Sequence, residues 1–446
     1  MTSLNLTEHD TAATCPLPVA GQKDGLALLA TFLRQRSPLA ALEQIRASDG
    51  DQFQVQLPGF QAAFATGPDA ARQIMVQERD NFLYRNETDP VARLLRRGVL
   101  VVDGAEHDQY RALMEPSLRR GAVLAHSEQM WRAVDWVTSH WPENGEVDML
   151  VESRKIALII LMETLFSIDF RPLLDPLWQP IQDMLSYIGP GPWLVWSGWQ
   201  GRKYQAGIAK MDSFLLDAIR ARRHQAPGDD MLDALIAGGL DDETIRDQML
   251  TMLIAGHDTA TALFAWVFAV LSQHANFLER ARQEARRVLA GEPPAESHLN
   301  KLMFLDTIIK ETLRLFPPIH VGNRRTSCPV ELNGHEVPAG QRLMYSIYLA
   351  HRHPDYWQQP EQFEPARFDR DSDQNRPPFV YLPFGAGPRN CIGATFAQIE
   401  AKIVLARLLQ QFDFLPLRDV FHPHMGATLE PRPGVPYKVR RYEARP

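Results

Sequence analysis

One ten-residue stretch constrains this chain more than any other: Phe384-Gly385-Ala386-Gly387-Pro388-Arg389-Asn390-Cys391-Ile392-Gly393. It sets a cysteine in a glycine-bearing turn, with an arginine two residues before it. Gly385, Gly387 and Gly393 are expected to let the backbone turn sharply and come close to something flat or bulky. After Cys391 the apolar residues Phe396, Ile399, Ile403, Val404 and Leu408 recur at helical spacing, so 394–412 reads as a helix. The thiol therefore belongs at or near a helix N-terminus. There, backbone N–H groups and the helix dipole are expected to lower its pKa and favour the thiolate, the form that ligates a metal. A lone cysteine is more often a small buried hydrophobe, so the rest of the chain has to agree.

The other two cysteines, Cys15 and Cys328, are far from Cys391 and from each other. An odd, scattered set argues against a disulfide scaffold and for a reducing compartment. Cys15 lies in a polar segment and Cys328 beside Pro329, and both read as bystanders. With 45% hydrophobic and 23% charged residues, the 446-residue chain has the make-up of a globular protein with a large core. A net charge of −7 provides no overall basic field for nucleic acid or an anionic membrane. Residues 1–10 lack the basic and apolar regions of a signal peptide. The longest apolar stretch, Met249 to Leu271, carries His257 and Asp258 near its middle, a costly placement in lipid. A long buried helix fits it better than a membrane span, and the chain is expected to be soluble and cytoplasmic.

Residues 1–24 are polar and without period, and read as a disordered tail before a single domain, 25–446. Helical patterns cover Arg120 to Val137, Leu150 to Phe166, Met231 to Ala237, about Asp242 to His274, and Asn300 to Leu315, the last stopped by Pro317-Pro318. Between Arg324 and Tyr348 the pattern turns β-rich, in Pro329 to Leu332 and Leu343 to Tyr348, with turns at Asn333-Gly334 and Ala339-Gly340. The fold class is thus mainly α with a minor β-sheet. Gly189-Pro190-Gly191-Pro192 interrupts the helical pattern ahead of Trp193, Trp196 and Trp199. These could wall an apolar cavity or simply be packed tryptophans, and they are not assigned to the site.

Three more constellations carry chemistry. In the long helix, Ala255-Gly256-His257-Asp258-Thr259 sets an acid beside a hydroxyl, next to a glycine that costs about 1 kcal/mol relative to alanine. Glycine and threonine can loosen the helix ladder and leave room for a small ligand. Asp258 and Thr259 are then a proton source and relay, although a kinked helix with a satisfied polar pair fits equally. Glu311 and Arg314, three apart, share a face of an otherwise apolar helix. A partly buried pair there would need a further partner. His107 and Arg111, four apart, can both donate to a carboxylate, or form an ordinary salt-bridged surface.

Taken in order, these segments resemble the cytochrome P450 family of haem-thiolate monooxygenases. The match is to F-x-x-G-x-R-x-C-x-G around Cys391, the A/G-G-x-D/E-T motif, E-x-x-R, a later Phe363-Glu364-Pro365-Ala366-Arg367-Phe368 loop, and Gly104-x-x-His107-x-x-x-Arg111 with Pro116. The resemblance implies the cytochrome P450 fold around one haem b (iron protoporphyrin IX), its iron bound by the Cys391 thiolate. Phe384 and Gly393 would contact the haem, Ala255 and Gly256 would form the groove over it, and Asp258 and Thr259 would deliver protons to O2. His107, Arg111, Arg324 and Arg389 would meet its propionates, with Arg324 preferred to Arg325 on an Arg-x-small spacing. Glu311, Arg314 and Arg367 would lock the core structurally. His257 would be structural, and Ala260 stands where many relatives have Thr or Ser. The implied reaction hydroxylates or epoxidises a lipophilic small molecule such as a terpenoid, fatty acid or carotenoid. No fused flavin or iron–sulfur segment is legible, so electrons would come from a separate ferredoxin with its reductase, or a flavodoxin. A same-family peroxygenase, desaturase or isomerase remains as an alternative. A peroxygenase typically lacks the acid–alcohol pair that is present here. The alternative from another class is a haem-binding sensor or carrier, which would not need that pair.

Overall fold

The computed structural model describes residues 15–20, 38–57, 60–84, 87, 89–189, 201–370 and 376–442. About 58% of the chain is helical. The helices longer than ten residues are α1 (Pro38–Asp49), α2 (Gly104–Met114), α3 (Ser127–Ser139), α4 (Met149–Phe166) and α5 (Leu174–Ile188). They continue as α6 (Gly201–Arg223), α7 (Asp242–Gln273), α8 (Ala275–Leu289), α9 (Met303–Leu315) and α10 (Ala394–Gln411). The strands are short: β1 (Cys15–Pro16), β2 (Gln52–Leu57), β3 (Phe60–Ala65), β4 (Phe82–Leu83), β5 (Glu146–Asp148) and β6 (Val321–Thr326). After them come β7 (Val330–Leu332), β8 (His335–Val337), β9 (Arg342–Ser346), β10 (Phe412–Pro416), β11 (His422–Met425), β12 (Leu429–Arg432) and β13 (Pro436–Arg441). The mainly helical architecture with minor sheets is the one expected.

Helix α7 is the axle. The Asp241 side chain caps it by accepting from the Thr244 N–H at 2.7 Å, and it then runs unbroken for 32 residues. It is long and apolar enough to cross a membrane, but 83% of its most apolar window is buried inside the protein. Such a helix is hydrophobic all round because other helices surround it. Helix α4, with buried residues on nearly every side, packs along it. The helix continues through Gly256-Thr259, where the Thr259 hydroxyl bonds back to the Ala255 carbonyl at 2.8 Å.

The largest sheet has the order β2-β3-β9-β6-β4, with β3 and β9 parallel and the other pairs antiparallel. The β7–β8 hairpin turns on Asn333 and Gly334, both at positive φ (47° and 84°), as an Asn-Gly turn requires. Strand β1 pairs with β8, and Val19 bridges Gln54, inside the stretch that composition marks as a tail. The expected helix from Asn300 starts later, at Met303, because the Glu284 carboxylate on α8 receives the Phe304 and Leu305 N–H groups at 2.9 and 2.8 Å. That capping comes from another element and leaves no local trace. The expected helix from Arg120 is divided at His126. The strand pair β2–β3 was not legible.

Glu400, on the inner side of α10, is fully buried, and burial alone pushes its carboxyl up from 4.5 to about 8. Between those two values the unfolded chain carries a charge that the folded chain does not. Stability therefore falls as pH rises through that window. Glu400→Gln removes this loss. Its melting temperature is expected to match the parent near pH 4.5 and to exceed it increasingly up to pH 8. A constant difference across that range would contradict the assignment.

Candidate active site

The Cys391 turn is built by glycine and by contacts from three other elements. Gly385 and Gly387 both have φ of 69°. A Cβ on Gly387 would stand 2.2 Å from the Met75 carbonyl oxygen, a backbone atom that cannot swing aside. The Cys391 N–H bonds to the Phe384 carbonyl at 2.8 Å and closes the loop. Gly393 differs from expectation: its φ of −88° is open to any residue, and its Cβ position lies 3.9 Å from the Cys391 Sγ. Its role is therefore clearance beside the sulfur and not turn geometry. Cys391 is exposed by area although protein crowds round it, as a residue facing a cleft would be. Burial pushes its thiol up, against smaller lowering effects from the Gly393 N–H and Arg111. This reverses the expectation of a depressed thiol pKa. The sulfur lies three residues ahead of α10, so it receives one N–H and not a full helix end. A metal bound at the sulfur would favour the thiolate, since coordination deprotonates a thiol.

Two part-buried arginines converge on Tyr84, which carries no sequence motif. The Arg324 guanidinium lies 3.4 Å and that of Arg389 3.8 Å from the Tyr84 ring centroid. Arg324 Nη2 also donates to the Tyr84 hydroxyl. Arg389 Nη2 donates to the Val102 carbonyl and to Asp103 Oδ1, at 2.7 and 3.0 Å. Asp103 in turn accepts from the Tyr84 N–H. Burial lowers the pKa of both arginines, and the Arg389 cation lowers that of Arg324 further. Arg325, by contrast, is exposed. His107 is buried, and its Nδ1–H donates to Asp108 Oδ1 at 2.9 Å. Burial lowers its pKa, and Arg389 and Arg111 lower it further. Arg111, expected at a propionate, also contacts the cysteine loop. It donates to the Asn390 carbonyl and Asn390 Oδ1, both at 2.8 Å, and so grips the cysteine loop.

Along α7 between residues 251 and 260, Ala255, Gly256 and Thr259 are part-exposed while the others are buried. Their spacing turns one face of the helix toward open space. Gly256 also allows α4 to approach, since a Cβ there would stand 2.1 Å from Leu161 Cδ1. That helix contact adds to the expected groove role. Asp258 points elsewhere, into a buried cluster described below. Its partners are Arg154 and Thr428, whereas the Thr259 hydroxyl bonds to the Ala255 carbonyl.

Glu311 and Arg314 form a bidentate pair, with both N–O distances 2.7 Å and both side chains fully buried. Arg314 also donates to the carbonyls of His351, Pro360 and Gln362, and Glu311 accepts the Glu364 N–H. Arg367 Nε stands 3.4 Å from Glu311, an ion-pair contact without a hydrogen bond. Burial, then Arg314, pushes the His351 pKa down to about 3, so its ring is neutral. Its Nδ1–H faces the Arg314 carbonyl, and its Nε2 accepts the Leu382 N–H at 2.8 Å. Leu382 begins the cysteine loop, so the buried pair is wired to it through one histidine.

A family model described as Cytochrome P450 matches residues 24–435. The chain belongs to the cytochrome P450 family. It is 31% identical to cytochrome P450 139 of Mycobacterium tuberculosis, over 77% of this chain and 84% of that one. It is 28% identical to pentalenene oxygenase of Streptomyces avermitilis, over 92% and 95%. A solved structure of a cyanobacterial CYP120A1 with retinoic acid bound superposes with a TM-score of 0.82 at 26% identity, covering 96% and 100%. This P450 is therefore a haem b monooxygenase.

The residues fit such a cofactor. Arg389 Nη1 is buried without a hydrogen-bond partner, and Asp103 is the carboxylate set against the Arg324–Arg389 pair. Anionic propionates suit that excess of positive charge. Arg154 and Thr428, which donate to Asp258, and Glu430, which shares Arg154 with it, were also missed. The available signal was Arg154 just ahead of the apolar run of α4 that begins at Ile156. Trp193, Trp196 and Trp199 lie outside the described residues.

Arg314→Lys keeps the charge but loses the fork. It is expected to cost about 3–5 kcal/mol and to leave most purified protein without haem, measured as the ratio of Soret to protein absorbance. Full haem occupancy would contradict the role given to the pair. Gly387→Ala should lower haem content for a different reason, the clash with Met75, whereas Gly393→Ala should tolerate its methyl group and shift only the Soret band.

Proposed function

We propose that this cytochrome P450 hydroxylates or epoxidises a lipophilic substrate of terpenoid type, with Cys391 as the iron ligand. The part-exposed stripe of Ala255, Gly256 and Thr259 on an otherwise buried helix carries the reading. It offers an apolar surface and one hydroxyl to whatever lies beside it. The relatives support the substrate class: one is named for pentalenene, a terpenoid hydrocarbon, and one structure holds retinoic acid. Bound haem supplies O2 activation, inserting one oxygen atom into a C–H or C=C bond while the other leaves as water, with two electrons and two protons consumed.

The chain's own residues would hold and supply. Arg324, Arg389, Tyr84 and His107 would bind the propionates, and Arg111 would fix the loop of Cys391. Thr259 would hold a proton over the reacting face, and Asp258 would renew it. The electrons would arrive from a separate ferredoxin with its reductase, or a flavodoxin, in the cytoplasm.

Titrating the purified holoprotein with terpenoids, fatty acids and a carotenoid tests the substrate class through spin-state shifts. Terpenoids are expected to give the largest shift and, with a ferredoxin and reductase, an oxygenated product. A shift confined to fatty acids, or turnover with hydrogen peroxide but not with O2, would contradict the reading. Thr259→Ala should keep the shift but reduce product per electron pair on the order of 10²-fold, with hydrogen peroxide appearing instead.

A further inference from the structure

The Asp258 carboxylate has a rival. Arg154 Nη2 on α4 donates to Asp258 Oδ1 at 2.9 Å and also to Glu430 Oε1 on β12. The two acids, far apart in sequence, are thus no more than two hydrogen-bond lengths from each other across one nitrogen. Thr428, in the β11–β12 turn, donates to Asp258 Oδ2 at 2.8 Å. Arg432 Nη2 holds the other Glu430 oxygen at 3.2 Å. Exposure falls along this chain of contacts, from 52% at Arg432 through 8% at Glu430 and Arg154 to 2% at Asp258.

The cluster floors a cleft of about 290 Å³ between α5, α7 and the β11–β12 hairpin, lined in part by Gln182, Ser186, Tyr204 and His424. Several buried polar atoms here have no protein partner: Arg154 Nε, Gln182 Nε2 and His257 Nε2. His257 Nδ1 lies against the Leu253 carbonyl, which leaves Nε2 as an acceptor. Polar atoms beside a roomy polar cleft are where proteins hold ordered water.

We propose that Glu430 is a positioning residue for the proton-relay acid. By sharing Arg154 with Asp258 at the floor of a hydrated cleft, it governs when Asp258 carries a proton. This rests on the reading of Asp258 as that acid. Asp258 takes up one solvent proton relayed through cleft water, each water giving one proton as it receives another, and returns to carboxylate on passing it inward; no electrons move. Arg432 reaches Glu430 from a half-exposed position, so Arg154 is the buried guanidinium that the two carboxylates share, and the more deeply buried acid, Asp258, is the one whose protonated form is favoured. Burial pushes the Asp258 carboxyl up, while Arg154, Thr428 and Arg432 pull it down. The remaining titratable groups facing the cluster are His257 on α7, His424 on β11 and Tyr204 on α6.

The test uses charge changes of opposite sign. In the holoprotein with ¹³C-labelled carboxylates, ferrous and CO-bound, the Asp258 resonance is assigned by its loss in Asp258→Asn and followed against pH. Glu430→Gln removes the rival and should move the Asp258 midpoint down by about one pH unit, a tenfold change in its ionisation constant. Arg432→Gln, at a half-exposed position that tolerates change, removes a cation and should move it up. The pH profile of hydrogen peroxide release, with a ferredoxin and reductase, should follow in the same two directions. Midpoints unmoved in both variants, or moved the same way in both, would overturn the role of Glu430. An unchanged peroxide profile in Asp258→Asn would instead overturn the acid role of Asp258 on which the inference rests.

Discussion

The fully buried pair of Glu311 and Arg314 is the contact on which the cysteine loop depends. Burying two charges costs several kcal/mol per ion, and the cost is recovered only when every donor and acceptor is matched. Here matching extends well beyond the pair. The Arg314 fork reaches three backbone carbonyls, and Glu311 takes a backbone N–H. These bonds fix the segment from His351 to Glu364, and His351 relays that order to Leu382. Since Cys391 closes on Phe384, two residues beyond Leu382, the ion pair sets where the sulfur can be.

From the other side the loop is held by charge. Arg111 fastens Asn390, and Arg389 fastens the 102–103 segment. Both grips come from near α2, so one small region positions the loop and supplies His107. The electrostatics are strained without a ligand: desolvation disfavours the charges of the part-buried Arg324 and Arg389, and burial opposes ionisation of the thiol. Neither is stable bookkeeping for an empty protein. Both are natural around a dianionic porphyrin with an iron that takes a thiolate.

Much of this was legible in the sequence because local spacing encodes it. The cysteine turn, the Glu311–Arg314 spacing and the unbroken pattern of α7 each lie within one segment. What escaped notice depends on pairing between distant segments. Tyr84 carries no motif, and its importance comes from Arg324 and Arg389 meeting on its ring. Glu430 belongs to a hairpin without a readable pattern and matters only through Arg154, 276 residues away. The expected helix start at Asn300 failed for the same reason, the cap being Glu284 on another helix. The depressed thiol was a different kind of miss. The helix N-terminus was placed about correctly, but desolvation outweighed its pull.

The central claim, that Cys391 binds the haem iron as a thiolate, is tested most directly by the absorption spectrum of the purified protein, reduced and exposed to carbon monoxide. The account predicts the far red-shifted Soret band of a thiolate-ligated ferrous–CO haem, and its loss in Cys391→His. A band of the histidine-ligated kind in the parent protein would contradict it.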